Sequence, residues 1–199
     1  MIPRHLVIAI AILLVITFGM GFYVLRMRAR ADRTDVSAAN TQPVAPPVSG
    51  SSEQVILYVA YDDAGVLRPK AVRITLPTGR QERAAEILRA LLTLYLDKFS
   101  PHPLGPGSDI RDVYLVDPGL AVIDLNAAFA DNHRSGVLVE ELSVVSLVQT
   151  LSANIPGITR VKILVDGNER ETLAGHADLS NFFDVPAVTQ VVAQLQNSQ

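Results

Sequence analysis

The amino-acid sequence predicts an α+β fold: a two-layer α/β sandwich of βαββαβ-like order behind an N-terminal transmembrane helix. Three observations lead to this prediction. Residues 6–25 form an uncharged apolar run. Residues 112–166 follow the order strand, tight turn, strand, helix, strand, and residues 54–96 show two strand patterns and an amphipathic helix before them. Short connections and right-handed crossovers then allow one five-stranded sheet with both long helices on one face.

The run at residues 6–25 is long enough to cross a membrane. Twenty residues at about 1.5 Å each span roughly 30 Å, the thickness of the hydrocarbon core, and Thr17 is the one clearly polar side chain in the run. We therefore expect an uncleaved single-pass anchor after a short tail, residues 1–5. A cleaved signal peptide is the alternative, but it needs a shorter apolar run and a better cleavage site than residues 29–31.

Charge is unevenly distributed along the chain. Up to Arg33 there are five arginines and one acidic residue, which leaves 12 basic and 19 acidic residues, a net charge of −7, for the remainder. An acidic domain is a poor candidate for nucleic acid, whose binding depends on neutralising phosphates. The four arginines after the span place its C-terminal side in the cytoplasm by the positive-inside rule. The absence of cysteine excludes disulfides, thiolate zinc sites and a cysteine-linked lipid.

Residues 26–52 are expected to form a linker, because most of this segment is rich in Pro, Ser and Ala and has no apolar period. Such a segment cannot bury enough surface to offset chain entropy, so it acts as a semi-extended spacer between the bilayer and the domain. The folded domain is expected over residues 53–184. Residues 185–199 form an amphipathic tail that could pack on the domain or contact a partner.

Two strands and a helix open the domain. Residues 54–61 are rich in β-branched and aromatic residues and nearly continuously apolar, which is typical of a central strand. Residues 70–76 alternate between apolar and polar side chains. Residues 80–96 carry an apolar stripe opposite charged side chains, which predicts a helix, and Thr78 with Gln81 fits a capping box at its start.

A loop and a hairpin follow. Three prolines and two glycines make residues 99–108 a loop, and we expect His102 within it to be exposed. Strands are predicted near 110–116 and 120–125. The Pro-Gly pair at 118–119 favours a type II turn between them, because proline presets one φ and glycine accepts the positive one.

The last predicted elements are a helix near 137–153 and a strand near 159–165. The helix is strongly apolar, and its first turns hold Glu140 and Glu141, which the helix dipole favours. Ser146 lies in the middle of this helix. A serine nucleophile needs a base and an oxyanion hole, and the sequence around Ser146 shows neither, so we expect a small packing residue.

His176 and Asp178 are the best candidates for metal or acid–base chemistry, and Asp124 in the fourth strand is a third. Two such residues fall short of the three protein ligands that a zinc site needs. The structural alternatives are a His176–Asp178 hydrogen bond that fixes the end of the domain, and bonds from Asp124 to backbone amides of the loop at 126–136. We therefore expect no catalytic, metal-binding or cofactor-binding residues.

Several short segments, taken in order, carry a family resemblance. They are Val55 to Val59, Arg73 in the second strand, Gly119 to Leu125, Ser146 to Leu151, Val161 to Gly167, and Leu173 to Leu179. Their succession over about residues 55–183 resembles the GerM-type (GerMN) domain of bacterial envelope and sporulation proteins. The chain departs from the family form in having one copy of the domain, no lipobox cysteine, and Asn181, Phe182 and Phe183 where the family runs to Pro-Phe.

The resemblance implies an extracytoplasmic α/β domain, similar in topology to ring-building modules of secretion-type complexes, without catalytic residues or cofactor. It places the domain outside the cytoplasm, against the positive-inside rule, and we follow the resemblance on this point. The expected function is a non-enzymatic, membrane-tethered module that binds envelope proteins or assembles with itself in the periplasm or cell-wall space, in sporulation or germination.

Two other functions stay open. A cell-wall hydrolase or metal-dependent enzyme would bring His176, Asp178 and Asp124 into one pocket. A small-ligand sensor would use a cleft lined by the loops at 99–109 and 126–136.

Overall fold

The computed structural model describes residues 50–116 and 118–197. The predicted anchor at residues 6–25, the tail before it and most of the linker lie outside this part of the chain. No helix within the described residues combines the length and the apolarity that crossing a bilayer requires.

The described residues form six strands and four helices, which confirms the α+β class. Each predicted strand and both predicted long helices are present near their expected positions. In chain order the elements are β1 (Ser51–Tyr61), β2 (Val66–Leu76), α1 (Arg80–Tyr95), β3 (Ile110–Val116), β4 (Leu120–Leu125), α2 (Ala127–Asp131), α3 (Val137–Asn154), β5 (Arg160–Val165), β6 (Phe183–Asp184) and α4 (Val185–Asn197).

The strands of the described chain form two sheets, so the prediction of a single five-stranded sheet is wrong. β1 and β2 form an antiparallel hairpin by themselves, with Ser51 opposite Leu76 and Tyr61 opposite Val66. The other strands follow the order β3-β4-β5-β6, with β4 and β5 parallel and the outer pairs antiparallel. α2 and α3 provide the long crossover that the parallel pair needs.

β1 does not pair with a strand of the second sheet. The backbone groups on the edge of β1 that faces away from β2 form hydrogen bonds with side chains of α3 instead. Ser146, Thr150 and Asn154 are four residues apart and therefore share one helix face. Asn154 accepts a hydrogen bond from the amide of Ile56 (3.0 Å) and donates one to its carbonyl (2.7 Å). Thr150 accepts from the amide of Tyr58 (2.9 Å), and Ser146 donates to its carbonyl (2.6 Å). The helix thus satisfies backbone groups that a neighbouring strand would otherwise pair.

α3 occupies the centre of the core. Every residue from Leu142 to Leu151 is buried, because α3 contacts β1, α1 and α4. Tyr95 of α1 extends the bonding along β1, since its hydroxyl accepts a hydrogen bond from the amide of Ala60 (2.9 Å) and contacts the hydroxyl of Ser146 (2.5 Å). Ser146 is therefore a buried residue, as predicted, with a bonding role that the sequence did not indicate.

The turn between β3 and β4 has the glycine conformation that the sequence predicts. Gly119 has φ = 79°. A Cβ at this position would lie 2.6 Å from Oγ1 of Thr159 and 2.9 Å from the carbonyl oxygen of Gly157. The amides of Thr159 and Arg160 donate to the carbonyl of Gly119 (2.8 and 3.1 Å), so this turn also fixes the start of β5.

Two local predictions about helices are wrong. The N-cap of α1 is Gly79, without a side-chain cap, and the Gln81 side chain accepts a hydrogen bond from the amide of Leu115 on β3 (3.1 Å), so Thr78 and Gln81 form no capping box. The loop at 126–136 contains the short helix α2, which begins where the side chain of Asn126 accepts a bond from a backbone amide.

Candidate functional site

A groove of about 460 Å³ lies between the first half of α3, the segment from His176 to Asp184, and α4. Val188 and Val192 of α4 are buried in the core, so the predicted amphipathic tail packs on the domain and forms one wall of the groove. The lining residues are Val137, Glu141, Val144, Val145, His176, Ala177, Asp178, Phe182, Phe183, Asp184, Ala187, Val188 and Val191.

Most of the groove lining is apolar, and two of its large side chains are exposed. Val137, at the start of α3, is 64% exposed, and Phe182 is 51% exposed. The charged groups of Arg160 and Lys162 on β5 lie 5.4 and 5.7 Å from the centre of the Phe182 ring, within the range of cation–π attraction. Exposed apolar side chains grouped beside a groove are typical of a contact surface.

The charge of the groove is acidic. Its charged lining residues, all in the described chain, are Glu141, Asp178 and Asp184. Asp178 accepts hydrogen bonds from the hydroxyl (2.5 Å) and amide (2.8 Å) of Ser180 and from the side chain of Asn181 (2.9 Å). These bonds hold the pKa of Asp178 below its usual value, and the bond from the Ser180 hydroxyl has the largest effect. The carboxylate is therefore charged at neutral pH. Arg160 lies opposite Asp184 in the β5–β6 pairing and offsets part of the negative charge.

A buried carboxylate holds the groove wall in place. One oxygen of Glu140 accepts the amides of Ala174, His176 and Ala177 (2.9 Å each), and the other accepts the amide of Gly136 (3.1 Å) and lies 3.0 Å from Nδ1 of His176. Burial raises the pKa of Glu140, but the bonds from these amides and the His176 ring outweigh burial and bring the pKa to about 2. Glu140 thereby attaches the segment around His176 to the first turn of α3.

The structure corrects the predicted pairing of His176 with Asp178. Nδ1 of His176 lies near Glu140 and 3.3 Å from the hydroxyl of Ser135, whereas Asp178 bonds within its own turn. Both residues line the groove, but the hydrogen bond expected between them is replaced by the bond to Glu140. No local pattern indicates this partner, because Glu140 precedes His176 by 36 residues.

Asp124 lies at the end of β4, outside the groove lining. Its buried carboxylate accepts the amide of Gly167 (2.7 Å) and lies 3.6 Å from the guanidinium of Arg111. The predicted bonding to backbone amides is therefore correct in kind, but the partner is the turn after β5 rather than the loop at 126–136. His176, Asp178 and Asp124 do not share one pocket, and no group of three or more His, Asp or Glu side chains among the described residues is placed to hold a metal ion.

His102 is fully buried, so the prediction that it is exposed is wrong. Its Nδ1 lies 2.5 Å from Oδ1 of Asp62 and its Nε2 lies 2.6 Å from Oγ of Ser143. Nε2 of His133 lies 2.7 Å from the same Oγ, and Nδ1 of His133 lies 2.7 Å from the carbonyl oxygen of Arg134. We call these five residues, from Asp62 through His102, Ser143 and His133 to Arg134, the buried histidine chain.

The order Asp62, His102, Ser143 repeats the order of groups in serine hydrolases, in which an acid orients a histidine that activates a serine. In this chain the serine is 1% exposed, lies inside a helix and also contacts a second histidine. A substrate carbonyl needs access to the serine and donors for its oxyanion. The buried position provides no access, so this arrangement supports no hydrolytic role.

The loops proposed to line a ligand cleft contact each other directly. The side chain of Asn126 donates to the carbonyl of Gly107 (2.7 Å), and the side chain of Asn132 donates to the carbonyl of Pro106 (3.2 Å). A Cβ at Gly105 would lie 2.3 Å from Cβ of Asn132. The space expected for a small ligand between these loops is filled by the loops themselves.

Comparison with known proteins identifies similar sequences and folds. A family model described as Germane, sporulation and spore germination, matches residues 56–171. The tandem GerMN domains of the sporulation protein GerM from Bacillus subtilis are 16% identical with a TM-score of 0.50, and the match covers 67% of this chain and 46% of that one. The first GerMN domain of the same protein is 19% identical, with a TM-score of 0.46 and coverage of 66% and 97%.

A predicted lipoprotein from Clostridium perfringens is also similar, with 19% identity, a TM-score of 0.45 and coverage of 71% of this chain and 92% of that one. A search of curated protein sequences finds no significant match. The structural similarity to the tandem domains agrees with the α+β fold described above.

Proposed function

This chain belongs to the Germane family, sporulation and spore germination, and on that premise we propose that it is a non-enzymatic module that binds a partner protein in the bacterial cell envelope. The GerMN resemblance predicted from the sequence is confirmed by the family match. The observation that carries the proposal is the groove beside α3, which combines an apolar lining, exposed Val137 and Phe182, and an acidic charge.

The groove favours one kind of partner. Its apolar lining suits an apolar side chain, and Glu141 with the ionised Asp178 suits a neighbouring lysine or arginine. We propose that the occupant is a segment of another protein that presents an apolar residue beside a basic one. Charge complementarity of this kind selects the partner and speeds association more than it adds affinity.

The proposal of a non-enzymatic role is supported by what the polar side chains do. Glu140 and Asp124, both buried carboxylates, accept backbone amides. Ser146 bonds to β1, and the buried histidine chain has no access for a substrate. Side chains that form hydrogen bonds with the backbone stabilise the fold. A reaction at these side chains would break those bonds and lower the stability of the domain.

We further propose that the domain is tethered by a membrane anchor at residues 6–25 and lies outside the cytoplasm. The support is the length of the uncharged run and the spacer after it. The absence of cysteine allows a direct test. A Lys70→Cys variant of the full chain carries one thiol, at an exposed position on β2. We expect a membrane-impermeant maleimide to label it on intact spheroplasts, and labelling that requires opening the spheroplasts would contradict this placement.

Site-specific photo-crosslinking in native membranes tests the groove. A photoreactive amino acid replaces Val137 in the full chain, and a matched variant carries it at Tyr114, a 47% exposed residue on β3 outside the groove lining. We expect an adduct with a different protein from position 137 and none from position 114.

Charge variants in the same experiment separate a specific partner from chance contact. Glu141→Lys is expected to lower the yield of the adduct strongly, whereas Glu141→Asp keeps it, because the partner's basic residue needs a carboxylate. Equal adducts from both crosslinking positions, no adduct at all, or an adduct of two copies of this chain would each overturn the proposed partner.

A further inference from the structure

The buried histidine chain contains four hydrogen-bond contacts, but two neutral histidines and one serine supply only three hydrogens for them. The four contacts join Asp62 to His102, His102 to Ser143, Ser143 to His133, and His133 to the carbonyl of Arg134, at 2.5, 2.6, 2.7 and 2.7 Å. Each contact needs one hydrogen. With Asp62 as a carboxylate, two neutral imidazoles carry one hydrogen each and the serine hydroxyl carries one, so these groups supply three.

The identity of the outer acceptors determines where the missing hydrogen belongs. The carboxylate of Asp62 and the carbonyl of Arg134 accept hydrogen bonds, so Nδ1 of both histidines carries a hydrogen. If both rings are neutral, both Nε2 atoms are acceptors, and the single hydroxyl hydrogen of Ser143 reaches one of them. The other nitrogen then faces the oxygen lone pairs at less than 3 Å. The carbonyl of Val139, 3.2 Å from the hydroxyl, is a further acceptor that only increases the demand.

Charged and titratable groups surround the chain on every side. Asp62, in the turn after β1, also pairs with the guanidinium of Arg134, a cation that favours the carboxylate form. Glu140 of α3 favours the protonated form of His133. Tyr95 of α1 packs edge-on against His102 at 4.7 Å, and burial raises its pKa to about 12, so it stays neutral. Phe129 of α2, 5.8 Å from the His133 ring, adds no charge.

Burial opposes the extra proton. By itself, burial acts to lower the pKa of both His102 and His133, because it disfavours the charged form of a ring. Two effects favour a protonated ring instead. A missing hydrogen between buried polar atoms costs free energy. A buried carboxylate such as that of Asp62 is stabilised when a positive charge lies beside it. The second effect acts most strongly on His102, since its ring contacts the carboxylate of Asp62.

We propose that the folded domain binds one additional proton in the buried histidine chain at neutral pH, with His102 doubly protonated, Ser143 donating to His133, and His133 neutral. The chain then joins the turn after β1, the loop of His102, the loop after α2 and α3 through four complete hydrogen bonds. These segments lose one of these bonds when the proton leaves, so the arrangement makes the stability of the domain sensitive to pH.

The sign of the pH effect follows from the two histidines. In the unfolded chain both titrate near pH 6.5, roughly the ordinary value. Above that pH the folded state holds the proton on His102 and the unfolded state does not, so stability falls as pH rises toward the folded pKa of His102. Below it the unfolded state also protonates His133, so stability falls again. The contribution of these two histidines to stability is therefore largest near pH 6.5, and each proton changes the unfolding constant by up to about tenfold per pH unit.

Nitrogen NMR of the histidine rings tests the protonation state directly. In the full chain, labelled with ¹⁵N and held in detergent micelles at pH 7, we expect both ring nitrogens of His102 to carry hydrogens and His133 to carry one, at Nδ1. Both rings neutral at pH 7 would overturn the proposal, whatever the variants below show.

Two neighbouring serines of α3 provide a matched pair for the unfolding experiment. Ser143→Ala removes the hydroxyl that links the two rings, whereas Ser146→Ala removes one that donates to the backbone carbonyl of Tyr58 and contacts the hydroxyl of Tyr95, away from both histidines. We expect the unfolding constant of the unmodified chain and of Ser146→Ala to rise between pH 6.5 and 8. In Ser143→Ala the rise should be smaller by up to about tenfold per pH unit. The residues outside the buried histidine chain are the same in the Ser143→Ala and Ser146→Ala variants apart from Ser146 itself, so their contributions to the slope cancel in the comparison. The same slope in Ser143→Ala as in Ser146→Ala would contradict the proposal.

Discussion

The two faces of α3 use their side chains in opposite ways. On one face a stripe of polar residues, Ser143, Ser146, Thr150 and Asn154, is buried or partly buried and bonded, chiefly to β1 and the histidines. On the other face Val137 and Glu141 are exposed beside a groove. The side chains of the polar face form hydrogen bonds within the domain. The face with Val137 and Glu141, which we call the open face, is exposed to solvent at the groove. This contrast points to the open face as the contact surface and to the polar face as scaffold.

The hydrogen bonds of the polar face also explain why β1 and β2 form a sheet of their own. Along β1, the amides of Ile56, Tyr58 and Ala60 bond to side chains of α3 and α1, and the amide of Asp62 bonds to the carbonyl of Pro101. An edge strand with free amides invites pairing with another chain. The outer edge of β1 is satisfied within the domain, so this edge is a poor place for a partner strand to add.

The largest loss of stability is expected at Glu140, because its buried carboxylate holds the wall of the exposed groove. Glu140→Ala leaves three amides of the groove wall without their acceptor and opens space in the core. We expect it to lower the free energy of unfolding by about 3–5 kcal/mol, measured by urea denaturation. Glu141→Ala, one residue away on the exposed side, is the control and should change it by less than about 0.5 kcal/mol. Equal losses in the two variants would show that the groove wall does not depend on Glu140.

The same carboxylate predicts an acid dependence. The pKa of Glu140 is about 2 in the folded domain, against an ordinary value of 4.5. A lowered folded pKa stabilises the domain above pH 4.5, and this stabilisation is lost as pH falls toward 2. The full loss amounts to about 3 kcal/mol, of which roughly 2 kcal/mol should be seen by denaturation between pH 5 and 2.5. In Glu140→Gln this part of the acid dependence should disappear, and an unchanged acid profile in that variant would contradict the assignment.

A change of one polar atom tests the polar face. Thr150→Val keeps the shape of the side chain but leaves the amide of Tyr58 without its acceptor, which should cost about 1–3 kcal/mol. Amide hydrogen exchange at Tyr58 should become faster than in the unmodified chain. Thr93→Val, at an exposed threonine of α1, makes the same chemical change without exposing an amide and should be nearly neutral. Comparable losses at both positions would mean that the bond to β1 adds little.

The smallest effect on stability is expected on the open face. Val137→Ser alters a residue that is 64% exposed, so we expect a change below about 0.5 kcal/mol. Val148→Ala, at a fully buried valine of the same helix, should cost about 1–3 kcal/mol. A large loss at Val137 would show that this side chain stabilises the fold, and the groove would then lose one of its proposed contact residues.

Local patterns predicted the elements well because each depends on neighbouring residues. Alternation of apolar and polar side chains located β2, and the Pro-Gly pair predicted a turn in which Gly119 needs its positive φ. The sequence also shows the polar positions of α3, whose spacing of three or four residues places them on one helix face. A polar stripe in an otherwise buried helix is a signal that a bonded partner exists.

The sequence by itself determined the strands, the long helices, the turn at Gly119 and the family resemblance, because these follow from periodicity, backbone conformation and the order of segments. Only the tertiary structure decided that β1 pairs with a helix rather than a third strand, that His102 is buried, and that Glu140 holds the segment around His176. Those outcomes depend on partners between 34 and 98 residues apart in the chain. A buried polar group takes whichever partner the packed core brings within about 3 Å, and local patterns do not encode that choice.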